Sequence, residues 1–255
     1  MTFSRSFSLL AATLLTAVPA AAADDPQEIL RKIDAQLSFA SDYKSVAKVR
    51  ERRADGTEQA LELVIYRRDR TSDLLFLVKR PSSMAGSGFL RIGENLWEYS
   101  VVAGQWERRT RRADIVGTLL CESDFDRSRL SVDYDGVEEK PEVIKGETYR
   151  KFLLKAKPGV ELTFDSLRIW VDKDLKIVKR IGYAPSGKPL RTDIIRSYQK
   201  VRDPISGREV LHMRDVIERQ EEQGVTNSLR YDDIVLSPLP ENLFTKTWFE
   251  GQLSR

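Results

Sequence analysis

The chain has 255 residues, with 42 basic and 39 acidic side chains whose signs are interleaved along the sequence. This near balance argues against the clustered basic face that is expected of a nucleic-acid-binding protein. The sequence contains one cysteine, which excludes an internal disulfide, so the fold must be held together by its hydrophobic core. We therefore expect no nucleic-acid partner.

The N-terminus has the composition of a cleavable secretory signal peptide. Arg5 supplies a positive start, an apolar stretch follows from Phe7 to Val18, and small residues then reach Ala23. The stretch is shorter than the roughly 20 apolar residues of a membrane-spanning helix. Cleavage after Ala23 leaves no cysteine for acylation, because Cys121 lies far from that point. We expect a signal peptide over residues 1–23, followed by one domain over 24–255 that is soluble in the periplasm.

A helix and then a long series of strands are predicted after the signal peptide. Asp25 can cap a helix over Pro26 to Phe39, in which Ile29 and Ile33 share an apolar face. Downstream segments alternate apolar and polar residues and end in turn residues, a pattern typical of antiparallel strands. We expect about ten or eleven strands between Tyr43 and Leu236, with short segments such as Leu162 to Phe164 among them.

The stretch from Ala113 to Asp126 interrupts the strand series, and its apolar spacing favours a short helix. A strand is predicted to follow it at Leu130 to Val137. An open sheet of this size curls, and helices with one apolar face must cover it. The sequence therefore predicts a mainly β protein, an unclosed (half) antiparallel β-barrel with helices covering its concave side.

A search for catalytic chemistry finds few candidate groups. His212 and Cys121 are the single histidine and cysteine, so a zinc site is not expected, and a nucleophile pair is only formally possible. Asp133 to Gly136 and Asp172 to Asp174 lack the further oxygen ligands of a calcium loop and are typical of solvated turns. We expect no catalytic residues, no metal and no cofactor, and hence a protein that is not an enzyme.

One basic run stands out, from Glu107 to Arg112. It is typical of a solvated strand end and loop, with a phosphate or lipid-headgroup site as the alternative. We expect the solvated loop.

Two stretches carry a resemblance to a known family. Pro81 to Tyr99 contains a proline step, a small-residue segment, a Phe-Leu strand, a Gly-x-Asn turn and a Trp-x-Tyr strand. Ser123-Asp124-Phe125 follows the predicted mid-chain helix. Both stretches resemble the outer-membrane lipoprotein-sorting family of LolA-like periplasmic carriers, and the order of elements agrees over the mature chain. The chain departs from the family pattern at Arg108 to Arg112 and at Cys121-Glu122.

The resemblance implies an unclosed barrel whose apolar cavity takes up acyl chains. A packed core is the alternative interpretation of the same apolar residues. The expected cavity residues are Leu75, Leu77, Ile92, Trp97, Tyr99, Phe152, Leu154 and Trp170. The expected lid residues are Ile115, Val116, Leu119 and Leu120. Because the side-chain period of a strand is two, a one-residue slip would invert which residues face inward.

The predicted function is a monomeric periplasmic carrier for an acylated lipoprotein or lipid. Relatives linked to lipid-exporting membrane transporters imply an inner-membrane transporter as the donor. A different interpretation is a non-enzymatic envelope interaction or sensor protein, which would favour a solid interior. An exported hydrolase is a third, and it would require an accessible His212 or carboxylate pair.

Overall fold

The computed structural model describes residues 24–110, 115, 118, 120–160 and 162–253. The strands described there are β1 (Tyr43–Arg52), β2 (Glu58–Arg68), β3 (Asp73–Arg80), β4 (Gly88–Ile92), β5 (Asn95–Ser100), β6 (Gln105–Arg109), β7 (Tyr134–Ile144), β8 (Glu147–Ala156), β9 (Ser166–Val171), β10 (Ile177–Tyr183), β11 (Pro189–Arg202), β12 (Glu209–Gln220) and β13 (Val225–Leu236). They form one sheet in the order β6-β5-β4-β3-β2-β1-β13-β12-β11-β10-β9-β8-β7. Every neighbouring pair is antiparallel.

The sheet confirms the prediction of a mainly β, antiparallel and unclosed architecture, because β6 and β7 are separate edges. The predicted number of ten or eleven strands is wrong, since the described part of the chain contains thirteen. Leu162 to Phe164 is irregular instead of extended. Leu130–Asp133 forms a helical turn, so the strand predicted from Leu130 begins at Tyr134. Alternation of apolar residues cannot predict these differences, because apolar residues in loops and turns also become buried when the chain folds.

The described residues include three α-helices beside the sheet, α1 (Pro26–Leu37), α2 (Leu130–Asp133) and α3 (Lys246–Glu250), and two 3₁₀ helices at Ser82–Met84 and Glu122–Phe125. The predicted cap is confirmed, because the Asp25 side chain accepts a hydrogen bond from the Gln27 amide at 3.1 Å. Pro26 occupies the first turn, where its missing N–H costs nothing. Helix α1 packs its buried residues into the main core. Its placement over a concave side stays a prediction.

The predicted mid-chain helix is largely absent from the described part of the chain. Ile115, Thr118 and Leu120 are not helical, and only Glu122–Phe125 forms a short 3₁₀ helix. The backbone N–H of Ile115 instead donates to the carbonyl of Leu120 at 2.8 Å. The side chains of Ile115 and Leu120 are fully buried without being helical, so burial alone accounts for two of the apolar positions that predicted a helix.

The two faces of the sheet carry separate hydrophobic clusters. We call the inner face the one whose residues join the main core, such as Phe76 of β3 and Phe152 of β8. The outer face of β2 to β6 carries a second cluster built on Leu75, Leu77 and Leu90. Strand β3 is therefore apolar at consecutive positions, because both of its faces are covered.

The C-terminal segment, residues 237–253, covers the outer face. Phe249 of α3 is fully buried against the second cluster. The segment is fixed by Arg68, whose guanidinium is buried with Asp42 at 3.0 Å and donates to the carbonyl of Leu239 at 2.9 Å. Among the described residues, no helix has the length and hydrophobicity needed to cross a membrane. The predicted signal peptide over 1–23 lies outside the described residues.

Candidate functional site

A cavity of about 660 Å³ lies between the inner face of the sheet and the mid-chain segment, which we define as the described residues 115, 118 and 120–129. Its volume falls within the roughly 300–1,000 Å³ of small-molecule pockets. Much of its wall is apolar and comes from strands on both halves of the sheet. The principal apolar and aromatic lining residues are Leu37, Phe39, Tyr43, Ile65, Leu162, Phe164, Leu167, Ile169, Ile177, Leu211, Met213 and Tyr231.

An aromatic stack forms one part of this wall. The ring of Tyr43 stacks between Phe39 and His212, with centroids 5.5 and 5.3 Å apart. Tyr231 meets the edge of His212 at 5.1 Å. The guanidinium of Arg67 lies over the rings of Phe39 and Tyr43 at 4.8 and 5.1 Å. These contacts give the wall a flat, rigid surface with a cation on one side.

The stack is uncharged except for its arginine. Burial raises the pKa of Tyr43 to about 12, and the hydroxyl donates to Ser45 at 2.6 Å. Burial lowers the pKa of His212 to about 4, so the ring is neutral at pH 7. Its Nδ1 lies 2.6 Å from the carbonyl oxygen of Met213, which requires Nδ1 to be the protonated nitrogen. A ring held in this way serves packing better than proton transfer.

Three buried arginines from three strands hold three successive residues of the mid-chain segment. Arg191 of β11 donates to Asp124 at 2.5 Å, and Arg67 of β2 donates to the carbonyl of Phe125 at 2.7 Å. Arg91 of β4 makes a two-pronged contact with Asp126, at 3.0 and 2.6 Å. We call this arrangement the arginine latch. It fixes the segment against the cavity.

The Arg191 end of the latch belongs to a larger buried charge network. Glu218 and Asp193 also lie near Arg191, at 3.5 and 3.4 Å, and Arg180 pairs with Asp193. Two cations therefore face three carboxylates, counting Asp124. Burial raises the pKa of Glu218 to about 7, because the charged form has lost its water and shares Arg191 with two other acids.

The other end of the mid-chain segment is held by helix α1. Asp34 accepts hydrogen bonds from the Ser128 hydroxyl at 2.7 Å and from the Leu130 amide at 3.0 Å. It also accepts from the Ser131 amide at 2.8 Å, so its carboxylate satisfies backbone N–H groups at the start of α2 that have no acceptor within the helix. Arg129 and Asp133 close the turn with an ion pair at 3.0 Å.

Five of the eight predicted cavity residues lie on the outer face. Register places Leu75, Leu90 and Trp97 side by side, and Leu77 pairs across to Tyr99 through Gly88. They face the C-terminal segment, and Lys246 lies 5.1 Å from the Trp97 ring. Ile92 shares this face and is 42% exposed. These residues are brought together, but away from the cavity described above.

The other three predicted cavity residues divide between the two faces. Phe152 and Leu154 are fully buried in the main core, beside helix α1. Trp170 lies on the opposite face, where its indole N–H donates to Glu142 at 3.0 Å and Lys179 lies over its ring. None of the eight is among the residues that line the cavity. Contact of any of them with a ligand stays a prediction.

Two of the predicted lid residues are described, and two are not. Ile115 and Leu120 are fully buried and belong to the main core. Val116 and Leu119 lie outside the described residues. The two described side chains anchor the mid-chain segment to the core, whereas their action as a lid stays a prediction.

The sequence analysis did not identify the latch arginines as site residues. A signal was present: Arg67 follows Leu63 and Ile65 at the same two-residue spacing, so it lies on their buried face. Arg191 holds the same phase as Ile195 on β11. A charged residue in the apolar phase of a strand is an unusual placement, because its burial is costly unless it is paired.

The remaining candidate sites are weaker. Within the described residues, the acidic, histidine and cysteine side chains form no group of three arranged to hold a metal ion. In the basic run, Arg108 donates to Asn95 at 2.7 Å and Arg109 pairs with Glu98 at 3.3 Å. Arg111 and Arg112 lie outside the described residues.

The chain is similar to a known protein family and to several solved structures. The model of a family whose description reads "Uncharacterized protein" matches residues 70–251. The chain belongs to this family, and its fold is LolA-like. A LolA superfamily protein from Nitrosomonas europaea has a TM-score of 0.72 at 21% identity, covering 89% of this chain and 100% of that one. The resemblance to lipoprotein-sorting proteins in the sequence is thereby confirmed.

Two further solved structures share the LolA-like fold. A lipoprotein-sorting domain from Vibrio parahaemolyticus, itself a provisional assignment, has a TM-score of 0.72 at 16% identity, covering 88% of this chain and 98% of that one. A protein from Desulfovibrio piger, of a family of unknown function, has a TM-score of 0.74 at 15% identity over the same shares of the two chains. A search of curated proteins finds no match.

Proposed function

We propose that this LolA-like protein is a periplasmic carrier that takes up the acyl chain of a lipoprotein or lipid and does no covalent chemistry. The observation that carries the proposal is the cavity of about 660 Å³ under the mid-chain segment. A solid interior would instead have supported the interaction or sensor protein. The hydrolase is disfavoured by the neutral, stacked state of His212.

The size of the cavity matches one acyl chain. A methylene group takes up about as much space as a water molecule, ~30 Å³, so the cavity holds roughly 20 of them. Each buried methylene contributes about 0.8 kcal/mol, so one chain supplies enough free energy for a stable complex in water. An inner-membrane transporter remains the proposed donor, and the carrier is proposed to act as a monomer.

The first test is a substitution that fills part of the cavity with a bulky side chain. Leu211 lines the cavity and is only half-buried, so Leu211→Trp should fill the space without disrupting the core. We expect affinity for a fluorescent C16 fatty-acyl probe to fall at least tenfold, since several methylene contacts are lost. Fluorescence titration measures the affinity, and mass spectrometry measures lipid that co-purifies with each variant.

The matched control places the same side chain on the surface. Val137 of edge strand β7 is 64% exposed and does not line the cavity, so Val137→Trp should bind the probe as the unmodified chain does. Equal binding by both tryptophan variants would show that the probe is held elsewhere. A preparation that carries no lipid and ignores added probe would end the carrier proposal.

A further inference from the structure

The arginine latch is a feature that acyl-chain binding does not require. Arg67, Arg91 and Arg191 are 6%, 3% and 6% exposed, and all three line the cavity. A wall that had only to accept hydrocarbon would be more stable with apolar side chains, because burying a charge is costly. The three cations therefore call for a function of their own.

The three guanidinium groups contact one short stretch of the mid-chain segment. Their partners in that stretch are Asp124, Phe125 and Asp126, whose Cα atoms span at most about 7–8 Å along the chain. Two of the three partners are carboxylates, and the third is a carbonyl oxygen. This is the set of acceptors that a phosphate or carboxylate group would present to the same arginines.

Access to the cavity past this part of the mid-chain segment must break the latch. If Asp124, Phe125 and Asp126 move away, Arg91 loses the carboxylate of Asp126 and keeps the neutral carbonyl of Ser72. Arg67 loses the carbonyl of Phe125 and keeps its pair with Asp69. A buried cation that loses its partner is strongly destabilising. An uncharged ligand cannot restore the balance, whereas an anionic one can.

We propose that the latch arginines form a headgroup site for an amphiphile with a carboxylate or phosphate group, and that Asp124 and Asp126 occupy this site as internal substitutes. The ligand's acyl chain lies in the cavity, and its headgroup replaces the two aspartates on Arg91 and Arg191. This inference rests on the proposed carrier function. It adds the charge of the ligand and competition from the protein's own segment.

The test compares ligands that differ only in their headgroup. Decanoate, decyl phosphate and decanol are titrated into the mature chain by calorimetry below their aggregation concentrations. We expect the two anions to bind about tenfold or more tightly than decanol, because charge-assisted hydrogen bonds replace those of the aspartates. The ratio between decanoate and decyl phosphate tells which anion the site prefers. Equal affinity for all three ligands would overturn the headgroup site.

Removing the carboxylate of Asp126 should strengthen anion binding, whereas a variant that merely disturbs the fold should weaken it. Asp126→Asn weakens the latch for every ligand and also takes away the charge that competes for Arg91, so affinity for both anions should rise several-fold more than affinity for decanol. Arg91→Gln should reduce the anions to the affinity of decanol. The control Asp233→Asn, at an exposed left-handed position that asparagine tolerates, should change none of the three. Weaker anion binding by a folded Asp126→Asn would contradict the substitution.

The outcomes separate this inference from the carrier proposal. If decanol binds as tightly as the anions, the carrier stands and the headgroup site falls. If none of the three amphiphiles binds, the carrier proposal fails and the headgroup site fails with it. Thermal unfolding of each variant shows whether it is folded. If Asp126→Asn does not fold, the affinities of the unmodified chain for decanoate, decyl phosphate and decanol still test the headgroup site.

Discussion

Gly88 lies where strand β4 passes directly beneath the C-terminal segment. A Cβ atom at this position would lie 2.2 Å from the carbonyl oxygen of Phe76 and 2.4 Å from the ring of Phe249. Neither neighbour can give way easily, because one is backbone and the other is fully buried. We expect Gly88→Ala to lower the free energy of unfolding by about 3 kcal/mol, measured by urea denaturation.

A second glycine in the same region supplies the control. At Gly251 an added Cβ would meet only ordinary contacts, at 3.4 and 3.5 Å, and the backbone is helical with φ −63°. Gly251→Ala should therefore leave stability within about 0.5 kcal/mol of the unmodified chain. Equal losses in both variants would mean that the close packing of Gly88 is not what stabilises the outer face.

Glu218 gives the stability of the fold a dependence on pH. Its pKa rises from 4.5 in the unfolded chain to about 7 in the fold, through burial. Its contribution is fully present below pH 4.5 and is lost as pH rises through 7, since the folded state then holds a charge that it disfavours. Between pH 5 and pH 8 the unmodified chain should lose on the order of 1–3 kcal/mol relative to Glu218→Gln.

Chemical denaturation of the two proteins at both pH values measures this difference. The comparison cancels other titrating groups, His212 among them, because they are present in both chains. If the free energies of unfolding of the unmodified chain and of Glu218→Gln change equally between the two pH values, Glu218 is already charged in the fold at pH 5. Arg191 would then fully offset the cost of burying that charge.

The direction of individual side chains was beyond the reach of sequence patterns. In β3 the positions from Leu74 to Val78 are all apolar, since the inner ones meet the main core and the outer ones meet the C-terminal segment. Alternation carries no information about direction in such a strand. The prediction therefore named Leu75, Leu77 and Tyr99 among eight cavity residues without a signal for the face of the sheet on which each side chain lies.

At the level of elements, Asp34 joins helix α1 to the mid-chain segment and α2. The carboxylate accepts from the Ser128 hydroxyl and from the Leu130 and Ser131 amides, at 2.7–3.0 Å. Asp34→Asn replaces one acceptor oxygen with a donor and leaves at least one buried donor unsatisfied. We expect the free energy of unfolding to fall by about 2 kcal/mol, measured by denaturant titration.

The control for this contact is an aspartate with a single exposed partner. Asp174 pairs with Lys176 at 3.2 Å, and its side chain is 56% exposed. Exposed pairs contribute about 0–1 kcal/mol, so Asp174→Asn should cause little change. A loss of similar size in both variants would exclude a special role for Asp34.

Elements with one covered face were predicted well. The strand series was predicted to begin at Tyr43, and β1 occupies Tyr43–Arg52, because buried and exposed positions alternate along it. A helix was predicted for the mid-chain segment, but its contacts were not, since they depend on distant arginines of β2, β4 and β11 rather than on local spacing. Sequence patterns report local periodicity, whereas the latch is a product of tertiary structure.

Across the whole molecule, two different segments of the chain pack on the two faces of the sheet, and different interactions hold them there. The outer face of β2 to β6 is closed mainly by apolar packing around Phe249, and the buried Arg68–Asp42 pair holds only the start of the C-terminal segment. The inner face is closed by the mid-chain segment, whose contacts to the sheet include buried charges. Apolar packing resists opening in proportion to area, but an ion pair can be exchanged for another. The inner closure is therefore the one suited to exchange with a ligand.

The single cysteine of the chain reports on opening of the inner closure. Cys121 lies in the mid-chain segment and is half-buried, so a thiol reagent reaches it fully only when the segment moves. Arg91→Gln removes the paired contact with Asp126 and should raise the labelling rate about tenfold, since the lost charge-assisted bonds are worth more than 1 kcal/mol. Arg50→Gln, an exposed change on β1, should leave the rate unchanged. Mass spectrometry measures the labelling rate of Cys121. Equal rates in the unmodified chain, Arg91→Gln and Arg50→Gln would mean that the segment opens without breaking the latch.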